Sequence, residues 1–136
     1  MTAAIHARDA ALRRCGMVPS DSIAWDRLGL ILLKSGDALL ACAAFAEAEA
    51  LAPAAVDFAL HRVEAATVAD LLPETIRCLD ARCTDNPFEP AAHTARGVAL
   101  ERLGYHAEAR DALEVATALA PDAALPALLL GGVLAR

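Results

Sequence analysis

Four histidines (His6, His61, His93 and His106) and four cysteines (Cys15, Cys42, Cys78 and Cys83) are the side chains best suited to hold a metal or attack a substrate. Their spacing favours neither. A zinc site gathers cysteine and histidine ligands at short, paired intervals. Cys78 and Cys83 stand five apart, and neither has a histidine three or four residues away. The cysteines read as small buried side chains on helices. No Cys–His or Ser–His–Asp order supplies a nucleophile with a base. No glycine-rich loop is present to cradle a phosphate. His93 reads as a packing histidine rather than a base. We therefore expect no catalysis, no metal and no cofactor.

The spacing that does stand out is structural, and it centres on residues 22–53. With Ser22 as position 1 of a 34-residue unit, Trp25, Leu28, Gly29 and Leu32 fall at positions 4, 7, 8 and 11. Trp25, Leu28 and Leu32 then share one stripe of a helix. Gly36, at position 15, permits a reversal. Ala41, Phe45 and Ala48 follow at 20, 24 and 27 on a second helix, which Pro53 closes at 32. Gly29 and Ala41 are small enough for two antiparallel helices to approach closely. The register recurs: prolines 19, 53, 87 and 121 are each 34 residues apart. Position 24 reads Phe45, Leu79 and Leu113, position 15 reads Gly36, Asp70 and Gly104, and position 8 reads Gly29, Val63 and Gly97.

The pattern W-x2-L-G-x2-Y…A-x3-F…P resembles the tetratricopeptide repeat. Leu32 in the tyrosine position is the departure, and it still fills an apolar slot. The resemblance covers nearly the whole chain. It implies an all-α fold, a right-handed α-solenoid of about seven to eight antiparallel helices. Three full repeats (22–55, 56–89 and 90–123) are flanked by an N-terminal capping helix (1–21) and a C-terminal half repeat (124–136), all in one domain.

Composition agrees. The chain is 57% hydrophobic but only 4% aromatic, a balance dominated by alanine, which suits close helix packing and has the best helix propensity. A net charge of −6 disfavours nucleic acid and anionic lipid as partners. The apolar run Ala123–Ala135 is too short to span a bilayer, so we expect no membrane insertion. An N-terminus without an apolar leader region and four cysteines read as reduced thiols point to the cytoplasm, and the alanine- and arginine-leaning usage to a GC-rich bacterial genome.

Along the chain, a helix at 2–16 offers Ile5, Ala7, Ala11 and Leu12 to the core, and residues 19–22 supply turn and N-cap chemistry. Helices are expected near 22–35, 38–51, 56–69, 72–84, 90–103 and 106–119, with a last one after Pro121. The second repeat is degenerate, with Arg62 and Arg82 in apolar positions. Either both arginines carry their charges out to water over aliphatic stems, or one is partly buried against a carboxylate.

The resemblance also implies a concave groove lined by first-helix positions 2, 5, 9, 12 and 13. These are Ile23, Asp26, Leu30, Leu33 and Lys34 in the first repeat. They are Asp57, Leu60, Glu64, Thr67 and Val68 in the second, and Ala91, Thr94, Val98, Glu101 and Arg102 in the third. A groove that clamps a terminal carboxylate needs lysine and asparagine on the early first helices. Asp26 and Leu30 do not fit that need, and an amphipathic helix or extended apolar segment fits better. The last helix, with Leu125, Leu128, Leu129 and Val133, is apolar around most of its circumference and marks a second edge for a partner. The expected function is protein–protein interaction, as an adaptor or assembly scaffold binding a protein or peptide. The alternatives are a secretion-type chaperone for apolar segments, a homo-oligomer through the C-terminal helix, and a recognition domain of a larger enzyme.

Overall fold

The computed structural model describes residues 2–135, with side chains from residue 7 onward. The core position expected for Ile5, the His6 side chain and the charge of Arg136 lie outside the described residues. Within them are eight helices: α1 (Thr2–Met17), α2 (Ser22–Lys34), α3 (Ala38–Leu51), α4 (Val56–Ala69), α5 (Leu72–Asp85), α6 (Pro90–Arg102), α7 (His106–Leu119) and α8 (Ala124–Leu134). The fold is all-α, and the helices pack as consecutive antiparallel pairs. Their ends fall within a residue or so of the positions read from the sequence. No described helix is long and apolar enough to cross a membrane.

The chain forms two compact units, Met1–Asp70 and Leu71–Arg136. In the first, α1 packs on α2, α2 on α3 and α3 on α4, and α2 also touches α4. Asp21 caps α2: its carboxylate accepts from the Ala24 amide at 3.2 Å. That amide, with Arg14 nearby, holds the carboxyl below its usual range. The buried face of α2 is Ala24, Leu28, Gly29 and Leu32, and it clusters with the buried Ala41, Ala44 and Phe45 of α3. A Cβ placed on Gly29 would clash with the edge atoms of the Phe45 ring, so the glycine is required by contact rather than by backbone conformation.

In α1 the core contact is narrower than expected. Cys15 is buried and Ala11 half-buried, whereas Ala7 and Leu12 are exposed. A helix packed on one neighbour buries only a thin stripe, here the i, i+4 pair Ala11 and Cys15.

The arginines of the degenerate repeat are paired rather than extended into water. Arg62 Nη1 donates to Glu49 Oε1 at 2.7 Å, with 17% and 5% of the two side chains exposed. Arg82 pairs with Glu89 in the second unit. A charge in an apolar position of a packed helix costs several kcal/mol unless an opposite charge meets it there, and Glu49 on α3 supplies that charge for α4.

In the second unit α5 packs on α6, α6 on α7 and α7 on α8, and α6 also reaches α8. Gly97 repeats the role of Gly29: an added Cβ would sit 2.6 Å from Leu113 Cγ. The two units also share a clip. Trp25 Nε1 donates to the Pro19 carbonyl at 2.9 Å, and 68 residues later His93 Nε2 meets the Pro87 carbonyl at 2.8 Å. The carbonyl can only accept, so Nε2 carries the proton. His93 thus takes over the tryptophan's hydrogen bond with a smaller ring.

Position 15 is where the backbone turns left-handed. Gly36 (φ 90°), Gly104 (φ 87°) and Asp70 (φ 59°) have positive φ, and Asp70 is the non-glycine among them. A Cβ is strained in that region, and a carboxylate at a helix C-terminus also opposes the helix dipole. We predict that Asp70→Gly stabilises the protein by about 1 kcal/mol, read as a higher urea midpoint at unchanged slope. An unchanged or lower midpoint would mean that the aspartate side chain holds the turn.

Candidate functional site

The groove positions inferred from the resemblance separate into exposed and internal residues. In the first unit Ile23 (57% exposed), Leu30 and Lys34 stand on the open face of α2, with Leu33 half-buried. Arg27, Leu30, Ile31, Leu33 and Lys34 border an open hollow of about 620 Å³. On α4, Asp57, Glu64, Thr67 and Val68 are exposed and Leu60 is half-buried. Thr67 donates its hydroxyl to the Val63 carbonyl.

Asp26 is a correction. It is only 8% exposed, and its Oδ1 lies 2.7 Å from His61 Nδ1, joining α2 to α4. The His61 ring in turn lies 5.4 Å from that of Phe45. A side chain tied into the helix contact cannot also serve as a free groove carboxylate. The sequence signal was available: Asp26 and His61 occupy adjacent slots, positions 5 and 6, of successive first helices.

Thr94 and Ala91 are corrected in the same way. Both are buried, Thr94 donating to the Pro90 carbonyl within its own helix. Glu101 is half-buried and lies 2.8 Å from His106 Nδ1. Its neighbours Val98 and Arg102 remain accessible.

The second unit brings together residues that the sequence placed in separate sites. Val98, Glu101 and Arg102 of α6 face Leu128, Leu129, Gly132 and Val133 of α8 across a cleft of about 260 Å³, with Leu113 of α7 at its base. Helix α8 buries Pro126 alone among its residues, while Leu125, Leu129, Leu130 and Val133 are half-covered and Leu128 is 72% exposed. An apolar helix of this kind is ordinarily enclosed.

Two features were missed from the sequence. One is an apolar hollow of about 690 Å³ where α1, α2 and α3 meet, bordered by Leu12, Trp25, Leu32 and Leu40. Its signal was the continuous apolar run of α3, which leaves Leu39 and Leu40 exposed. The other is a small polar hollow of about 320 Å³ in the second unit, lined by Asp80, Cys83, Thr84, His93 and Arg96. Cysteine and histidine share it, but their states do not suit nucleophilic chemistry. His93 Nε2 is engaged by the Pro87 carbonyl, Arg96 pairs with Asp80, and burial pushes the Cys83 thiol up, with Arg96 opposing. A nucleophilic cysteine needs the opposite shift. Among the described residues no three His, Cys, Asp or Glu side chains group as a metal site.

No protein-family model matches the sequence, and no curated protein sequence matches it. Solved structures do match its fold. A MamA double mutant superposes with a TM-score of 0.61 at 17% identity, over 98% of this chain and 75% of that one. The tetratricopeptide-repeat domain of Sgt2 from Aspergillus fumigatus gives 0.62 at 14% identity, over 85% and 78%. The first such domain of Spaghetti, solved with an HSP90 peptide, gives 0.57 at 18% identity, over 85% and 94%. The chain therefore has the tetratricopeptide-repeat fold, as the 34-residue register implied.

The cysteines differ more than their sequence reading allowed. Cys15 is buried, Cys42 and Cys83 are half-buried and Cys78 is exposed. Burial pushes the Cys15, Cys42 and Cys83 thiols up, and Asp21 adds to the shift at Cys15. A raised folded value favours the neutral thiol. Its contribution to stability is complete below the unfolded value of about 8.5 and is lost as pH rises through the folded value. We predict that iodoacetamide at pH 8 alkylates Cys78 first and Cys15 last, and that urea abolishes the order. Mass spectrometry reads the order, and prior modification of Cys15 would contradict the packing of α1.

Proposed function

We propose that the chain is a protein–protein interaction module, an adaptor or scaffold that holds an apolar segment of a partner in the cleft between α6 and α8. The observation that carries the reading is α8 itself, a helix uncharged from Ala124 to Leu134 that leaves Leu128 in water. Contiguous exposed apolar surface is the common mark of an interaction site, and covering one leucine contributes about 1.5–3 kcal/mol. Arg102 stands at the rim of the cleft. The peptide bound by the Spaghetti domain gives a precedent for the fold holding a segment of another protein. Its sequence, SRMEEVD, is acidic. This chain is less suited to such a ligand, because the Asp26 carboxylate is committed to His61 and Leu30 stands where a carboxylate clamp needs a polar group. The exposed Ile23 and Leu30 on α2 support a second, shallower place for the same kind of segment.

The test is selection of peptides from a random displayed library on the immobilised full chain, followed by calorimetry. Apolar sequences are expected to be enriched. Leu128→Asp with Leu129→Asp should weaken the selected peptide at least tenfold while far-ultraviolet circular dichroism is unchanged, and Leu30→Glu should leave it bound. Retention by the double variant together with loss in Leu30→Glu would move the site to α2.

A further inference from the structure

The apolar hollow of the first unit is separate from the cleft that carries the proposed function, and helices of this chain wall it on both sides. Leu12 of α1 and Leu40 of α3 stand on its walls, and the more deeply placed Trp25, Leu28 and Leu32 of α2 form its floor. Its volume of about 690 Å³ falls among small-molecule sites, about 300–1,000 Å³. The 34-residue register locates the same corner in the second unit, 68 residues on, where α5, α6 and α7 meet. There, side chains of the unit take the space up. Ile76, the counterpart of Arg8, packs against Leu100, Ala109 and Ala112. Asp80 and Arg96, the counterparts of Leu12 and Leu28, pair with each other. What remains beside that pair is the polar hollow of about 320 Å³. In the first unit neither filling exists. Arg8 Nη1 turns instead to Asp37 Oδ2 at 3.2 Å, and two leucines stand where the ion pair would be. Leu12 is left 49% exposed and Leu40 56%.

We propose that this hollow binds a small apolar amine, its hydrocarbon body against Leu12, Trp25 and Leu40 and its protonated nitrogen beside Glu47. The charges at the lip decide the sign of the head group. Asp37 is the N-cap of α3, and its carboxylate already satisfies Arg8. Glu47 borders the hollow ten residues farther along, about 15 Å by the rise of a helix. Among the described residues no cation pairs with Glu47. The uncompensated charge at the lip is therefore negative. The net charge of −6 acts in the same direction, drawing cations toward the surface and repelling anions. From Leu40 to Glu47 is two turns of α3, about 10 Å, which sets the length of body that lies on the leucines while its nitrogen reaches the carboxylate.

The chain has one tryptophan, and it stands in the floor of the hollow, so Trp25 fluorescence reports the occupant directly. The probes are n-octylamine, n-octanol and n-octanoate, each titrated into the full chain below its micelle concentration. At pH 7 the amine is protonated, as lysine is. The three share one body and differ in the charge of the head. A saturable change in Trp25 emission is expected with octylamine, about threefold tighter than with octanol, the size of effect an exposed ion pair gives, and octanoate is expected to bind weakest. Glu47→Gln, a substitution at an exposed position, should reduce octylamine to the affinity of octanol. Ala43→Phe, also at an exposed position, fills the hollow from the α3 wall and should weaken all three at least fivefold while far-ultraviolet circular dichroism is unchanged. No saturable change with any probe, equal affinity for amine and alcohol, or an amine preference that survives Glu47→Gln overturns the proposal. Tightest binding of octanoate overturns it as well, and makes Arg8 the anchor. Trp25 emission that shifts with protein concentration alone, together with a rising mass by sedimentation, overturns it in favour of a second copy of the chain.

Discussion

The fold depends on the closeness that one missing Cβ allows. Phe45 of α3 lies over Gly29 of α2, and the alanines beside it, Ala41 and Ala48, are wholly buried. An alanine-rich core has little apolar area per residue to remove from water, so its stability rests on dense contact between backbones brought near each other. Leu113 over Gly97 repeats the arrangement in the second unit. With a Cβ at either glycine the helices separate, and small side chains that cannot reach across a wider gap lose their contacts together.

Polar side chains fill the places where this scheme is interrupted. Arg62 and Glu49 cross from α4 to α3, Asp26 and His61 from α2 to α4, and Arg82 and Glu89 tie the end of α5 to the start of α6. Such pairs add little net stability over apolar residues of the same shape, but either member alone is costly, so the pair fixes which helices meet and in what register. The clip from Trp25 to Pro19, and from His93 to Pro87, does the same for the entry to each first helix.

The helix pairs were legible because their determinants are local and periodic: prolines every 34 residues, glycines at the reversals, and alternating small and large apolar positions. Asp70 shows the strength of that register, since it adopts the left-handed turn that its glycine counterparts adopt freely. The candidate site was less legible. Family position alone placed Asp26 and Thr94 in a groove, but accessibility depends on packing: His61 of α4 claims Asp26, and Thr94 is buried with its hydroxyl turned back to the Pro90 carbonyl of its own helix. Arg62 could be assigned to water or to a carboxylate only once α3 set Glu49 beside it. The uncovered α8 was visible as an apolar run, whereas the merging of Val98 and Arg102 with Leu128 and Leu129 in one cleft required the packing of α6 against α8.

The most direct measurement of the glycine–knob contact is a double-mutant cycle on Gly29→Ala and Phe45→Ala, with stability from urea unfolding. If the close approach of α2 and α3 is set by the ring over the glycine, Gly29→Ala costs about 1–3 kcal/mol in the parent and little or nothing once the ring is removed, giving a coupling of at least about 1 kcal/mol. Costs that simply add would show that the two residues act independently, and would contradict the account of how this helix pair is held.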